Sequence, residues 1–269
     1  MAKLRYVRDM NATTSSAPVL NSTVQTIRAT YETEPEIAAA LLPKPLQAYA
    51  RPEIYLQSCL VAMHVSKDNT VEIGATTVAV MCEYKGQKGG YVLAMPMEGE
   101  FVCIGGREIF GEPKKIAAVS FDLEGDQFVT STTRHDIPFI EMRGTIGKSI
   151  GPAQFTEYFY CHKAFPSIKR DGGFDGDVFL TRLNWQRDYT DVREVDGEII
   201  LRESPWDPLV DVPVKKLVNM QYAIGSSKTS GEILQTIPGE YLAPFIHQRY
   251  DDTNVPCVEI ELAAELSNA

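Results

Sequence analysis

A chain of 269 residues, 44% of them hydrophobic, carries enough apolar material for one large domain or two small ones and excludes wholesale disorder. Its formal net charge of −10 repels nucleic acid and anionic membranes, so an anionic substrate would need a local positive site. No apolar run suits a membrane-spanning helix, and MAKLRYVRDMNATT lacks the apolar centre of a secretory signal. Five widely spaced cysteines, an odd number, do not read as a disulfide framework, so a reducing, cytoplasmic setting is expected. Without CxxC or HxxxH spacing, a structural zinc site is not.

Residues 1–20 are polar and rich in Ser and Thr, the composition of a loose N-terminal arm. TYETEPEIAAALLPKPL predicts a short helix, with Thr33 and Glu36 at capping-box spacing, Pro35 in the first turn and Pro43 as the stop. IYLQSCLVAMHV and TVEIGATTVAVMCEY have strand composition and length. KGQKGGYVLAMPM is a glycine-rich turn feeding another strand. AAVSFDLEGDQFVTSTTRHD predicts a hairpin with Glu124, Gly125 and Asp126 at its tip. IPFIEMRGTI, EYFYCHKAF and GDVFLTRLNWQRDYTDV predict further strands, and EVDGEIILRE a second hairpin turning at Asp196-Gly197. VDVPVKKLVNMQYAIG reads as a helix, capped by Asp211, with Pro213 in its first turn and Gly225 at its end. The final AAELSNA reads as a helical or frayed appendage.

Short hairpins imply antiparallel pairing, and no regular strand–helix alternation points to a doubly wound sheet. The expected fold is α+β and mostly antiparallel: one domain over residues 21–250, with a C-terminal tail over 251–269. Its strands would close or stack into a barrel-like or cone-like sheet with a few short helices.

Gly105–Ala117, GGREIFGEPKKIA, concentrates charge in a loop-like segment. It contains G-x-x-x-x-G from Gly106 to Gly111, but Glu112-Pro113 follows in place of Lys-Ser/Thr, so it is not a phosphate-binding loop. The plain reading of Lys114 and Lys115 is a turn with solvated charges. The alternative follows from strand geometry. Successive side chains point to opposite faces, so only one lysine can enter a barrel interior, and removal from water there disfavours its ammonium form. A neutral amine attacks ketones.

GREIFGEPKKIA closely resembles the signature of the acetoacetate decarboxylase family, in which a Gly-Arg-Glu segment leads to Pro-Lys-Lys. LLPKPL, GQKGGY and DPLVDVPVKKLV resemble further family segments, in the same order, from about residue 30 to 225. The resemblance implies that Lys114 forms a Schiff base with a small keto acid. Decarboxylation of a β-keto acid is the family's default reaction, and the iminium serves as electron sink without metal or organic cofactor. The family's lysine is a stock illustration of an amine activated by desolvation or by a neighbouring cation; the strand argument favours desolvation over Lys115. Family members are often homo-oligomers.

The family's decarboxylases also use an arginine ahead of the first helix and two glutamates on the following strands. Matching LLPKPL, AMH and GQKGGY puts Val24, Cys59 and Ala75 at those positions. Arg28, Gln57 and Glu72 lie close by, and a small gap would bring one into place; otherwise they are a surface arginine, a hydrogen-bonded strand glutamine and a strand-end glutamate. The substitutions open two alternatives. One is aldolase-dehydratase or hydratase chemistry through the same lysine. The other is a non-catalytic barrel that binds a small molecule. Arg107 and Glu108 read as an ion pair holding the loop, with a catalytic role as the alternative. Tyr222 reads as a core tyrosine or as a proton donor to the enamine. His64 and His162 read as structural.

Overall fold

The computed structural model describes residues 4, 6, 7, 9, 20–66, 68–254 and 256–263. Most of the expected N-terminal arm and all but the first residue of AAELSNA lie outside the described residues.

The chain is mostly antiparallel strand. In order it runs β1 (Leu20–Glu32), α1 (Pro35–Ala40), β2 (Gln47–Ala48), β3 (Glu53–Ser66), β4 (Asn69–Tyr84), β5 (Gln87–Met97), α2 (Glu100–Ile109) and β6 (Lys114–Ile116). There follow β7 (Ala118–Glu124), β8 (Gln127–Arg134), β9 (Ile137–Lys163), β10 (Val178–Leu201) and β11 (Lys216–Ile237), with short 3-10 turns after β10 and β11. Sheet order is β6-β5-β4-β3-β1-β11-β10-β9-β8-β7, and a parallel pairing of Gly90 and Tyr91 with Phe159 and Tyr160 joins β5 to β9. That pairing closes β5, β4, β3, β1, β11, β10 and β9 into a seven-stranded barrel, which leaves those strands no open edge. The expected α+β barrel-like class is therefore the observed one.

Both faces of much of the barrel wall are buried. Ile54, Leu56, Val78 and Val80 pack on one face with Ile27, Tyr31, Phe139 and Met142. The alternate residues Tyr55, Cys59, Ile73 and Ala75 pack on the other with Met95, Phe159 and Trp185. Double-sided burial explains why β3 and β4 read as near-continuous apolar runs.

Four sequence expectations are corrected. VDVPVKKLVNMQYAIG is not a helix: Leu209–Asp211 form one 3-10 turn and the rest enters β11. The register against β1 skips Val218 between Leu217 and Asn219. This bulge shifts the alternation, so Leu217 and Met220 share a face three residues apart, a spacing that imitates a helix. Asp196-Gly197 is not a turn but lies within β10, opposite Thr145 and Gly144. A Cβ on Gly197 would come 2.7 Å from the Arg143 carbonyl oxygen, so the glycine serves close strand approach. Thr33 does not cap α1; Glu34 is the N-cap and makes no side-chain cap bond, although Pro35 does begin the helix. The segment before Phe110 is not a loop: α2 runs through Gly105 and Gly106, with Val102, Cys103 and Gly106 turned inward.

Candidate active site

A cavity of about 110 Å³ opens beside α2. That is many times the roughly 10–15 Å³ one water needs by the same kind of measure, enough for a small organic molecule. Its walls come from six of the seven barrel strands. Ser22 and Val24 are on β1, Gln57, Cys59, Val61 and Met63 on β3, and Ile73, Ala75 and Thr77 on β4. Met95 and Met97 are on β5, Trp185 and Arg187 on β10, and Ser227 and Thr229 on β11. Val102, Phe110, Glu112 and Lys114 close it from α2 and the chain that follows. The alternate positions along each strand are the ones that contribute, as the pleat requires.

Lys114 and Lys115 separate as strand alternation demands. Lys114 is 9% exposed and lines the cavity, its Nζ 2.7 Å from Glu112 Oε2 and 3.4 Å from the Val102 carbonyl oxygen. Glu112 is itself buried, so the two groups form a close ion pair at the cavity wall. Lys115 Nζ points away and bonds Asp207 Oδ1 at 2.9 Å and the Trp206 carbonyl oxygen at 3.0 Å, with Asp251 Oδ1 at 3.3 Å. Arg134 braces the same acids, through Nε to Asp207 at 2.7 Å and Nη2 to Asp251 at 2.5 Å.

Gly106 explains why a helix can lie on these two side chains. A Cβ there would stand 2.2 Å from Glu112 Oε2 and 2.5 Å from both Cδ and Nζ of Lys114. Arg107 is a backbone clamp: Nη1 donates to the carbonyl oxygens of Lys114 at 2.8 Å and Arg249 at 3.0 Å. It does not pair with Glu108, which is exposed and outside the cavity.

The remaining sequence candidates divide. Gln57 lines the cavity; its Oε1 accepts from Arg187 Nη2 at 2.9 Å and from the Tyr55 hydroxyl, and its Nε2 donates to Cys59 Sγ at 3.2 Å. Glu72 sits exposed on β4, on the face opposite Ile73. Tyr222 packs against the other core face and accepts from Gln25 Nε2 at 3.2 Å. Val24, Cys59 and Ala75 all line the cavity. Burial pushes the Cys59 thiol up, and Gln57 and Arg187 oppose this without reversing it, so Cys59 stays a neutral thiol where a carboxylate was matched.

Glu112 and Arg187 escaped the sequence reading. Glu112 was visible as the acid two residues before Lys114. Arg187 was visible as a charge on the apolar phase of Leu183, Trp185, Arg187 and Tyr189. It is 5% exposed, lies over the Trp185 ring at 4.5 Å, and bonds Glu157 Oε2 at 2.9 Å and Ser227 Oγ at 3.3 Å.

Comparison with known proteins agrees with this architecture. The acetoacetate decarboxylase (ADC) family profile matches residues 7–235, so the chain belongs to that family. An acetoacetate decarboxylase of Burkholderia vietnamiensis (strain G4 / LMG 22486) is 35% identical over 100 residues, which span 37% of this chain and 39% of that relative. The curated relatives are thus matched over about two-fifths of their length. In fold, the chain is similar to the acetoacetate decarboxylase of Legionella pneumophila, at TM-score 0.68 and 18% identity, covering 84% of this chain and 93% of that one. It is equally similar to the enduracididine biosynthesis enzyme MppR complexed with pyruvate, at TM-score 0.68 and 11% identity over 84% and 93% of the two chains. Among the described residues, no helix is long and apolar enough to cross a membrane.

Proposed function

We propose that the protein is a Schiff-base-forming carbon–carbon lyase acting on a small keto acid through Lys114. The observation that carries this reading is the Lys114 amine, buried at the wall of a largely apolar cavity beside one carboxylate. An amine must shed its proton before it attacks a carbonyl, and Glu112 is placed to take it. The amine adds to the ketone carbon, and loss of water leaves an iminium. The electron pair of a bond to the neighbouring carbon then flows onto nitrogen and gives an enamine. Protonation of the enamine and hydrolysis return the free lysine. In decarboxylation the departing fragment is carbon dioxide, and family membership supports that as the first reaction to assay.

A second reading has its own support. Val24, Cys59 and Ala75 face the cavity, so the positions matched to the family's arginine and two glutamates are uncharged at the site itself. Aldol, dehydration or hydration chemistry uses the same iminium without those groups. Proton NMR of the protein mixed with acetoacetate, and separately with pyruvate and an aldehyde, tests both. Turnover of either mixture that vanishes in Lys114→Met supports the lysine; turnover that survives in Lys114→Met removes it from the mechanism.

A further inference from the structure

We propose that Arg187 is the carboxylate anchor of this site, and that it takes an apolar monocarboxylate whose carbonyl reaches Lys114. The position of the carbonyl rests on the Lys114 reading above; the anchor rests on separate observations.

Arg187 has five N–H donors. Nε is taken by Glu157 Oε2 at 2.9 Å, one hydrogen of Nη1 by Ser227 Oγ at 3.3 Å, and one of Nη2 by Gln57 Oε1 at 2.9 Å. One N–H on each terminal nitrogen is therefore without an acceptor among the described residues. The residue is 5% exposed and lines the cavity. Buried donors on a cation are costly to leave unmet, and a carboxylate supplies two oxygens for them.

The local charge count points the same way. Glu157 is the carboxylate that pairs with Arg187, and it also pairs with Arg28. Arg28 is held between the rings of Tyr55, Phe155 and Tyr189, 5.6, 5.0 and 5.5 Å from their centres, and does not line the cavity. Two guanidinium groups thus share one carboxylate. The other charges among the described lining residues, Lys114 and Glu112, pair with each other. One positive charge is left over on the Arg187 side, which suits a monocarboxylate. A phosphate ester or dicarboxylate would bring an excess negative charge against a lining whose remaining charges, Lys114 and Glu112, already balance. The cation missing at Val24 on β1 is in this account supplied from β10.

The test uses the full chain and calorimetric titration with pentanoate, its neutral isostere pentanamide, and the ketone 2-pentanone. Wild type should bind pentanoate at least ~30-fold more tightly than pentanamide, the size of effect expected for a buried charge-assisted pair. Lys114→Met combined with Glu112→Gln, which removes the Lys114–Glu112 ion pair as a unit, should keep that preference and Arg187→Met should lose it. Borohydride should still trap 2-pentanone on Lys114 in Arg187→Met. Equal affinity of wild type for pentanoate and pentanamide overturns the anchor even if Arg187→Met does not fold, as does a folded Arg187→Met that keeps the preference. Intact pentanoate binding with no ketone adduct in any variant sinks the Schiff-base reading and supports the anchor.

Discussion

Glu112 Oε2 lies 2.7 Å from Lys114 Nζ, and both side chains sit where a Cβ on Gly106 would have to go. Acid and amine flank Pro113, where the Lys114 N–H donates to the Glu112 carbonyl oxygen at 2.8 Å, a tight turn that folds the two side chains together just before β6 begins. Pro113 between them fixes the backbone φ of that approach.

That pairing separates binding from proton transfer. In Glu112→Gln, amine and cavity remain while the proton acceptor is lost. Turnover of a competent keto acid should fall by about 10²–10⁴-fold, the usual contribution of a positioned acid–base group, while reductive trapping at saturating ketone persists. Steady-state rates beside trapping yields read the two effects, and an unchanged rate would assign Glu112 to structure alone.

Gly106→Ala should disable the site with limited damage to the fold. The added methyl meets the flexible end of Lys114 and the Glu112 carboxylate, not backbone, so those side chains must swing away. A stability loss of about 1–3 kcal/mol, typical of overpacking, should accompany a much larger loss of activity. Urea denaturation alongside an activity assay checks this; full activity would mean that α2 shifts to accommodate the methyl.

Lys115→Met should act on stability. Lys115 joins Asp207, Asp251 and Arg134 on the far side of the strand, and its loss leaves Asp207 with Arg134 alone among its charged partners. A cost of about 1–3 kcal/mol is expected from the unmet buried acceptor. The pH dependence of trapping at Lys114 should remain that of wild type. A displaced pH profile would show that the second lysine tunes the first.

His162 is wholly buried, with neither ring nitrogen hydrogen-bonded and its ring 5.6 Å from Tyr91. Burial, then the charge of Arg249, lowers its pKa from 6.5 to about 3. Above pH 6.5 both folded and unfolded chains hold it neutral, and it leaves stability unchanged. Between pH 6.5 and about 3 the unfolded chain binds a proton that the fold refuses. Stability should therefore fall on acidification by up to about 1.4 kcal/mol per pH unit from this residue. Urea midpoints at pH 7 and 4 should differ less in His162→Phe than in wild type; equal differences would contradict the assignment.

The strands easiest to read from sequence were those with one consistent pattern. β3 and β4 are apolar on both faces, and the β7–β8 hairpin carries Glu124, Gly125 and Asp126 at its turn. β1 escaped notice because Ser22, Thr26 and Arg28 dilute its alternation on the site-facing phase. β11 imitated a helix because one bulge at Val218 reset its phase. α2 escaped because two adjacent glycines, poor helix formers, sit within it, one of them required by the side chains beneath. At the site, alternation alone required that only one of Lys114 and Lys115 turn inward; the family resemblance singled out Lys114, and the structure has Lys114 inward and Lys115 outward. Arg187 was not legible in this way, because its role depends on strands distant in sequence meeting across the barrel. Gln57 and Ser227, its partners, lie 130 and 40 residues away.

The central claim is a covalent one, and borohydride reduction tests it most directly. The full chain is incubated with a keto acid, reduced, digested and mapped by mass spectrometry. A secondary-amine adduct on Lys114, absent in Lys114→Met and without modification of Lys115, is the predicted result. An adduct confined to other lysines, or none with acetoacetate, pyruvate or 2-pentanone, would contradict it.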